Sequence, residues 1–312
     1  MMTGNNKFKY TQDNPLRVFT AFSGYDSQCM ALDRIGIPYT LVGWSEIDKN
    51  AIMAHNAVYP QYADRNYGDI QQIDWKHVPD FDLFTFSSPC QDFSAAGLQR
   101  GGQEGSGTRS SLLWECRKAI IEKKPKYLLL ENVKALVSKK FIDLFNKWLN
   151  ELEGYGYTNY WQVLNAKDDG VPQNRERVFC VSILGDHDIY HFPLPFPLEK
   201  RLKDVLEPEV DDKYVLSDTA IEGFLKHNLN HLAKGTGFLF KPKEVDLPDE
   251  GGGKVANCLR VNSALCPTDN TIKERIQQYP TPCRQDREEE QRICISDKGN
   301  GKENSSSVQS DE

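Results

Sequence analysis

Near the start of this 312-residue chain, a short β-prone run ends in a tight turn, and the turn leads into a helical pattern. The run covers residues 16–21, the turn reads Phe-Ser-Gly-Tyr-Asp-Ser over residues 22–27, and apolar side chains at helical spacing continue to Gly36. Strand, turn and helix in this order are typical of the first unit of a doubly wound α/β domain, whose helix N-terminus offers free N–H groups to a ligand's negative group. A plain strand–turn–helix corner is the alternative, because the turn holds a single glycine.

Two acidic residues follow further along. A β-prone run over residues 39–45 ends in Glu46, and a helix is expected over residues 48–58. A carboxylate at the end of the second strand is where nucleoside-binding sheets place an acceptor for ribose hydroxyls. Gly68-Asp69-Ile70 is a candidate end of a third strand, where Asp69 would accept a hydrogen bond from an adenine amino group. Asp69 is equally well explained as a turn residue.

An apolar run over residues 81–86 stops at a Ser-Ser-Pro turn, and Cys90 follows at once. The run predicts a buried strand, and Pro89 restricts the backbone beside the cysteine, so that the thiol leaves the strand end in a constrained direction. Thiolates attack carbon, which makes Cys90 a candidate nucleophile. An inert buried cysteine is the alternative, because free Cys is among the most buried residue types.

The next segment, residues 98–110, is polar and rich in glycine, and it contains Arg109. It suits a lid that closes over a substrate, and a flexible connector is the alternative. A helix is predicted after it from apolar side chains on one face, namely Leu112, Leu113, Cys116, Ile120 and Ile121. This helix leads to a strand over residues 127–130 that ends in Glu131-Asn132-Val133, where Glu131 is a candidate general acid or the cap of the following helix.

A helix is predicted over residues 139–153, and strands over residues 157–164 and 178–184 bracket a basic segment. If that segment is extended, Gln173, Arg175 and Arg177 share one face, because side chains of a strand alternate. Two arginines that project together fit a phosphate or a carbonyl-bearing base, although surface arginines commonly have no such role.

Composition narrows the class of protein. The eight cysteines are scattered without a CxxC pair, so neither a disulfide framework nor a zinc site is indicated. The polar residues 1–14 lack a signal-peptide core and no apolar run approaches a membrane span, which predicts a cytoplasmic protein without a membrane partner. The net charge of −7 argues against binding polyanions through bulk charge, but it is compatible with a local basic cleft.

Taken together and in this order, the motifs resemble those of the DNA cytosine-5 methyltransferase family of prokaryotic or phage type. The family's cofactor turn resembles Phe22-Ser23-Gly24, its ribose-binding acid resembles Glu46, and its adenine contact resembles Asp69. Its nucleophile motif resembles Pro89-Cys90-Gln91, its acid motif resembles Glu131-Asn132-Val133, and its basic motif resembles Gln173-x-Arg175-x-Arg177. The resemblance implies an α/β fold with a doubly wound, mostly parallel, Rossmann-like sheet. It also implies S-adenosylmethionine as cofactor and a small C-terminal target-recognition region.

The family resemblance implies three sets of site residues. The catalytic residues would be Cys90, Glu131, Arg175 and Arg177. The cofactor would be bound by Phe22, Ser23, Gly24, Tyr25, Glu46, Ile47, Asp69, Ile70, Pro89 and Leu112. The nucleic acid would be bound by Gln91, Ser94, Arg109 and Gln173, and no metal is expected.

The implied reaction methylates C5 of cytosine in double-stranded DNA. Cys90 would add to C6 of the ring, protonated Glu131 would interact with N3, and Arg177, together with Arg175, would hold the O2 atom or a flanking phosphate. Because C6 is stacked inside a duplex, the base must be flipped out, and the segment 98–110 would close behind it. A monomer, with a cognate restriction endonuclease in a restriction-modification pair, is the expected arrangement.

The chain changes character towards its C-terminus. We expect an N-terminal extension over residues 1–15, a catalytic domain over 16–185, a target-recognition region over 186–270 and a polar, disordered tail over 271–312. The resemblance is expected to end near Thr271, because no apolar helix follows Gly299-Asn300.

Three other classes of protein are alternatives to a DNA methyltransferase. A relative without the last helix would bind nucleic acid or cofactor without turnover, and a tRNA cytosine-5 methyltransferase would share the same motifs. The long segment 187–270 favours DNA over tRNA. A cysteine hydrolase is disfavoured, because none of the six histidines lies in a motif beside the nucleophile.

Overall fold

The computed structural model describes residues 10–89, 102–207, 217–234 and 256–257. The chain divides into two compact units, Met1–Glu199 and Lys200–Glu312. The first unit carries most of the described secondary structure. The predicted boundaries after residues 15, 185 and 270 stay predictions.

The first half of the first unit alternates strands and helices. Its elements are β1 (Leu16–Ala21), α1 (Ser27–Ile35), β2 (Tyr39–Ser45), α2 (Lys49–Val58), β3 (Leu83–Phe86) and α3 (Cys116–Lys123). The second half contains β4 (Tyr127–Val133), α4 (Ile142–Gly154), β5 (Tyr157–Asn165), the two-residue strand β6 (Gln173–Asn174) and β7 (Glu176–Leu184). Short 3₁₀ helices connect several of them, including Ile70–Gln72 and Arg109–Glu115.

A six-stranded sheet in the order β2-β1-β3-β4-β7-β5 is the centre of this unit. Strands β2, β1, β3 and β4 pair in parallel, whereas β7 runs antiparallel between β4 and β5. From β1 the chain moves outward to β2 and then returns to the other side of β1 to form β3. This reversal is the topological switch point at which open α/β sheets bind ligands, and it confirms the predicted doubly wound, mostly parallel fold.

Both faces of the sheet are covered, as successive residues of β1 show. Val18 belongs to a core cluster with Cys29 of α1 and Trp44, while the adjacent Phe19 belongs to a larger cluster with Ile120 of α3 and side chains of α4. Because side chains of a strand alternate between faces, these two clusters are the two buried layers of one sheet.

Two expectations and one alternative about local structure do not hold. Residues 68–70 do not end a strand: Asp69 caps the 3₁₀ helix Ile70–Gln72 and accepts a hydrogen bond from the backbone N–H of Gln71 at 3.0 Å, so the turn alternative holds. Glu131 does not cap a helix, because β4 continues to Val133. Ile121 was expected on a buried helix face and is 47% exposed.

The second unit is described over three short elements. They are a 3₁₀ helix (Leu202–Val205), α5 (Asp218–Lys234) and the two-residue strand β8 (Ala256–Asn257). Across the described ranges of both units, no helix has the length and apolar character needed to cross a membrane.

Candidate active site

The carboxyl ends of β1, β2, β3 and β4 bring the predicted site residues to one edge of the sheet. Residues 22–26 follow β1, Glu46 follows β2, and residues 87–89 follow β3. Glu131 lies among the last three residues of β4. The sequence-predicted positions are therefore collected at the switch point of a doubly wound sheet.

The turn after β1 has an unusual backbone. Phe22, Gly24 and Asp26 all have positive φ angles, of 56°, 59° and 68°. Non-glycine residues rarely adopt this conformation, and the strain is tolerated where the surrounding structure fixes it. Ser23 is 5% exposed, and its Oγ has no hydrogen-bond partner in the described part of the protein. The turn thus combines a left-handed backbone with a buried hydroxyl that has no hydrogen-bond partner among the described residues.

Glu46 is held rigidly by backbone donors on both of its carboxylate oxygens. Oε1 accepts hydrogen bonds from the N–H groups of Ile47 at 2.8 Å and Asp48 at 2.9 Å, and Oε2 accepts one from Gly24 at 3.0 Å. A carboxylate oxygen has about two acceptor sites. Oε1 is therefore filled and Oε2 keeps one site, which suits a single hydroxyl of a ribose.

Asp69 lies half-buried after the loop that follows β2. Its Oδ1 accepts the Gln71 N–H, while Oδ2 has no hydrogen bond to any described residue. This second oxygen is a suitable acceptor for an exocyclic amino group. A ligand with ribose and adenine parts would need polar partners of the kind that Asp69, Glu46 and Ser23 provide.

The other residues predicted to bind the cofactor differ in exposure. Tyr25 is 51% exposed and Ile47 is 65% exposed, whereas Ile70 is buried at 2%. Pro89 and Leu112 are half-buried, Pro89 after β3 and Leu112 in the 3₁₀ helix Arg109–Glu115. Their roles stay predictions, but the exposed Tyr25 and Ile47 side chains offer apolar surface beside the acceptors.

Asn132 ties the segment after β3 to β4. Its Nδ2 donates to the backbone oxygen of Ser88 at 3.1 Å and lies 3.2 Å from the Ser88 Oγ, and both residues are buried. The Asn132 Oδ1 accepts the N–H of Val133. The nitrogen and the oxygen of the Asn132 amide are therefore both engaged in hydrogen bonds. They hold the backbone of Ser88, two residues before Cys90, against the strand that carries Glu131.

Glu131 and Arg177 form an ion pair on adjacent antiparallel strands. Arg177 Nε lies 3.0 Å from Glu131 Oε1, with 17% and 23% of the two side chains exposed. Glu131 pairs in register with Phe179, and Arg177 pairs with Val133, so the two charged residues are diagonal neighbours on one face of the sheet. The structure therefore brings two of the four predicted catalytic residues into direct contact.

The residues of the basic segment alternate in exposure as the sequence predicted. Gln173, Arg175 and Arg177 are half-buried, and the two residues between them are exposed. Asn165 Oδ1 accepts the backbone N–H of Arg175 at 2.9 Å, which fixes the start of this segment to the end of β5. Arg109, predicted to bind nucleic acid, begins a 3₁₀ helix and is exposed.

Three predicted site residues, Cys90, Gln91 and Ser94, lie outside the described residues. The described free cysteines, Cys29, Cys116 and Cys180, are all buried. Burial raises the pKa of each thiol, that of Cys180 to about 11, and the Asp26 carboxylate raises that of Cys29 further. Because a neutral thiol is a poor nucleophile, none of these three is suited to attack a substrate.

A polar cluster that no sequence motif predicted lies behind the turn that follows β1. Thr20 Oγ1 donates to Asp26 Oδ2 at 2.9 Å, and His55 Nε2 of α2 lies 3.4 Å from the same oxygen. None of the three residues is exposed. The position of Asp26 in a turn was a weak signal, since Asp is enriched among non-glycine residues with positive φ. No sequence motif marked His55.

A model of the C-5 cytosine-specific DNA methylase family matches residues 16–305. The match runs past Thr271, so the expectation that the resemblance ends there is wrong. Type II methyltransferase M2.ScrFI of Lactococcus lactis subsp. cremoris is 42% identical over 257 residues, which cover 66% of this chain and 71% of that protein. Orphan methyltransferase M.Rho11sI of Bacillus phage rho11s is 32% identical over 267 residues, which cover 76% of this chain and 50% of that protein.

A solved structure supports the fold independently. The S. pombe Dnmt2 methyltransferase superposes with a TM-score of 0.63 at 18% identity, covering 90% of this chain and 82% of that one. At this identity the similarity concerns the fold. The match to the family model and the two relatives confirm the family and the methyltransferase class predicted from the motifs, and the chain therefore belongs to the C-5 cytosine-specific DNA methylase family.

Proposed function

We propose that this protein transfers a methyl group from S-adenosylmethionine to C5 of cytosine in double-stranded DNA, through a covalent bond between Cys90 and C6 of a flipped base. The observation that carries the proposal is the Glu131–Arg177 ion pair at the site edge of the sheet. It joins an acid and a guanidinium beside the strand end that leads to Cys90. Family membership supports the same reaction.

Cys90 begins the reaction in this proposal. Cytosine C5 is a weak nucleophile, and addition of a thiolate to C6 turns the ring into an enamine that can attack an electrophilic carbon. The sulfur of Cys90 forms a bond to C6, and the electrons of the C5–C6 double bond become available at C5. After methylation a base removes the C5 proton and the S–C6 bond breaks, which restores the double bond and the thiolate.

Glu131 assists the addition at N3 of the base. Its Oε1 is paired with Arg177, while Oε2 has no hydrogen bond to any described residue, so Oε2 is the atom that we assign to N3. A proton shared between Oε2 and N3 draws electrons from the ring and makes C6 electrophilic. Arg177 orients the carboxyl group, and Arg175 with Arg177 provides donors for the O2 atom or a flanking phosphate.

S-adenosylmethionine supplies an electrophilic methyl group when it is bound. We assign its ribose to Glu46 Oε2 and its adenine amino group to Asp69 Oδ2, the two acceptors that keep free sites. The turn at residues 22–26 and the N-terminus of α1 would hold its methionine part, because uncapped N–H groups attract a carboxylate.

The remaining expectations belong to this proposal as well. Residues 186–270 would recognise the DNA target, and segment 98–110 with Gln91, Ser94, Arg109 and Gln173 would contact the nucleic acid. A monomer that acts in the cytoplasm beside a cognate endonuclease is the expected arrangement.

Tritiated S-adenosylmethionine with mixed-sequence duplex DNA tests the activity, with RNA as the parallel substrate. We expect acid-insoluble counts in the DNA reaction that are lost in Cys90→Ser. Cys116→Ala is the matched control, since it removes a thiol that is fully buried in the hydrophobic core and should keep the activity. Labelling of RNA but not DNA would overturn the proposed substrate.

A duplex with 5-fluorocytosine in the target positions tests the covalent step. The C5 fluorine cannot leave as a proton does, so the bond between Cys90 and C6 should persist as an adduct visible on a denaturing gel. The adduct should be absent in Cys90→Ser and present in Cys116→Ala. Methylation without any trapped adduct would contradict the covalent mechanism.

A further inference from the structure

The half-buried Asn66 lies beside the end of β2, and the proposed reaction leaves it without a role. We propose that Asn66 is a positioning residue for S-adenosylmethionine, because its side-chain amide fixes the separation between Glu46 and Asp69. These two residues carry the acceptor sites that we assigned to the ribose and to the adenine. The inference rests on the proposed function and deepens it, since it adds a residue that acts on the cofactor through two others.

The Asn66 amide binds the main chain of Glu46 on both sides. Its Oδ1 accepts the Glu46 N–H at 3.2 Å, and its Nδ2 donates to the Glu46 carbonyl oxygen at 3.1 Å. β2 is an edge strand of the six-stranded sheet, so its outer side has no strand partner in the described part of the protein. The amide takes the place of such a partner immediately after β2 ends.

The same Asn66 oxygen also holds the segment that leads to Asp69. Oδ1 accepts the N–H of Gly68 at 2.9 Å, so that both acceptor sites of this carbonyl oxygen are used. The Gly68 carbonyl oxygen accepts the Ser45 hydroxyl at 2.6 Å, which ties the segment to the end of β2 a second time. One side-chain atom therefore joins Glu46 to the residue that precedes Asp69.

The direction of each carboxylate depends on the backbone that Asn66 holds. Glu46 accepts the N–H groups of the two residues that follow it, together with the N–H of Gly24, and Asp69 accepts the N–H of Gln71. Each carboxylate is thus oriented mainly by its own backbone, and the separation between the two is set where the two backbones are joined. An amide suits this joint because it is neutral and offers both a donor and an acceptor.

A nucleoside needs its two acceptors at a fixed separation. Its adenine and ribose parts are linked by a single bond, so hydrogen bonds to both parts form together only if the acceptors already lie at the matching distance. Preorganisation of this kind contributes affinity because the ordering of the site is not repeated at each binding event. Without the Asn66 amide, the segments that carry Glu46 and Asp69 would move independently, and the site would distinguish less well between complete and incomplete nucleosides.

Equilibrium binding of S-adenosylhomocysteine, the demethylated form of the cofactor, and of two analogues tests the inference. One analogue has a carbonyl oxygen in place of the adenine amino group, and the other lacks both ribose hydroxyls. We expect the wild-type protein to bind S-adenosylhomocysteine about tenfold more tightly than either analogue, because each analogue loses hydrogen bonding to one acceptor. In Asn66→Ala, both preferences should fall to about twofold or less.

Asn159→Ala is the matched control. Asn159 is also half-buried and uses both ends of its amide, since it donates to the Leu149 carbonyl oxygen at 3.0 Å and accepts the Ser182 hydroxyl at 2.7 Å. It lies on β5, the opposite edge strand of the sheet. Both preferences should therefore stay at about tenfold in this variant.

Ser45→Ala is a second variant, which keeps the Asn66 amide and removes the hydroxyl that holds Gly68. It should lower the preference for the adenine amino group and leave the preference for the ribose hydroxyls unchanged. The thermal midpoint of each variant shows whether it is folded. If Asn66→Ala does not fold, the outcome for Ser45→Ala decides the inference.

Equal weakening of all three ligands in folded Asn66→Ala would mean a merely structural role and would overturn the inference, as would preferences that remain at their wild-type values. Equal binding of the three ligands by the wild-type protein would also overturn it, because Glu46 and Asp69 would then not recognise the nucleoside. A wild-type protein that binds none of the ligands would overturn the proposed function itself. The two failures are therefore distinguishable.

Discussion

At the scale of single residues, two sets of contacts organise the edge of the sheet at which we propose catalysis. They are the ion pair between Glu131 and Arg177 and the hydrogen bonds of the Asn132 amide. Glu131 Oε1 lies 3.0 Å from Arg177 Nε, and the neighbouring Asn132 side chain points to the buried Ser88. Adjacent residues of β4 thus hold two different elements, the antiparallel strand β7 and the segment after β3. Both contacts join residues that are distant in sequence, so composition and periodicity alone do not predict them.

Glu131→Gln should lower the methylation rate by about 10² to 10⁴, because an amide cannot share an acidic proton with N3. Single-turnover methylation with saturating DNA and cofactor measures this step. Glu176→Gln is the control: Glu176 is an exposed neighbour of Arg177 and pairs with Lys134 at 2.8 Å. Equal rates in wild type and Glu131→Gln would assign the residue to structure alone.

Asn132→Asp should destabilise the protein by about 2 to 4 kcal/mol, since a buried carboxylate would replace the donor to the Ser88 carbonyl. Urea unfolding gives the difference. Asn174→Asp should change stability by less than about 0.5 kcal/mol, because the exposed Asn174 uses its Oδ1 as an acceptor that Asp retains. A similar loss in both variants would argue against the anchoring role of Asn132.

At the scale of elements, a bulge interrupts the pairing of β1 with β2. The register shifts between Val18 and Phe19, whose partners are Leu41 and Gly43. A Cβ atom at Gly43 would lie 2.7 Å from ring atoms of both Phe19 and Tyr67. Gly43 is therefore needed because two aromatic rings approach its backbone.

Gly43→Ala should cost about 1 to 3 kcal/mol of unfolding free energy, because the rings must move away from the added methyl group. Gly154→Ala, in the last turn of α4, meets no atom within 4 Å and should stabilise by up to about 1 kcal/mol through helix propensity. Chemical denaturation of both variants measures the contrast. A neutral Gly43→Ala would show that the bulge tolerates a side chain.

Glu104 links the segment before α3 to two helices. Its carboxylate lies 2.5 Å from Arg117 of α3 and 3.2 Å from Lys147 of α4. Hydrogen bonds from Arg117, and then from Lys147, hold the pKa of Glu104 below its ordinary value. Because the pKa of Glu104 is lower in the folded than in the unfolded protein, its charge stabilises the fold at pH values above its unfolded pKa. This stabilisation is lost as the pH falls through the pKa of Glu104 in the folded protein.

Glu104→Gln should therefore lower the thermal midpoint relative to wild type at pH 7, and the difference should disappear in acid below the folded pKa of Glu104. Differential scanning calorimetry at both pH values measures it. Glu122→Gln, on the exposed side of α3, should leave the midpoint unchanged throughout. A difference that persists unchanged in acid would mean that the charge of Glu104 is not the cause.

At the scale of the whole molecule, 38 basic and 45 acidic residues give a net charge of −7. Affinity for a polyanion must then come from basic side chains that contact it locally. The slope of log K against log salt reports the number of phosphates that these side chains contact, and it does not report the net charge of the protein. Arg175 is the residue of the basic segment that suits a test of this slope. It is half-buried and its backbone N–H is bound by Asn165, and its replacement leaves the ion pair between Glu131 and Arg177 intact.

Arg175→Gln should weaken DNA binding and reduce the slope of log K against log salt by about 0.9, the loss of one phosphate contact. Fluorescence anisotropy at several salt concentrations measures the slope. Arg17→Gln is the control, since Arg17 pairs with Asp82 at 2.8 Å near the start of β1 and should not change the slope. An unchanged slope in Arg175→Gln would mean that Arg175 contacts the base or supports the fold, and that it does not contact a phosphate.

The fold was predictable from sequence where a local pattern decides it. Short apolar runs predicted β1, β2 and β3, and the four-residue apolar periodicity predicted α4 with its buried Phe145 and Trp148. The prediction failed at Asp69, because a carboxylate that caps a 3₁₀ turn has the same sequence signature as one at a strand end.

The candidate site was predictable only as a set of positions. Glu131 and Arg177 could each be named from motifs, but their contact depends on the antiparallel register of β4 and β7. The contacts of Thr20 and His55 with Asp26 depend on packing between a strand, a turn and α2, and no local pattern encodes them.

The antiparallel direction of β7 has a consequence for how such chains can diverge. Because β5 ends and β7 begins at the edge that carries the candidate site, the connection between them at residues 166–172 lies at that edge, while the ladder between β4 and β7 fixes Glu131 opposite Phe179. Lys167 and Asp168, two exposed residues of this connection, are positions at which an insertion would leave the ladder unshifted. Evolution can therefore vary loop length beside the chemistry while the acid and its guanidinium stay together.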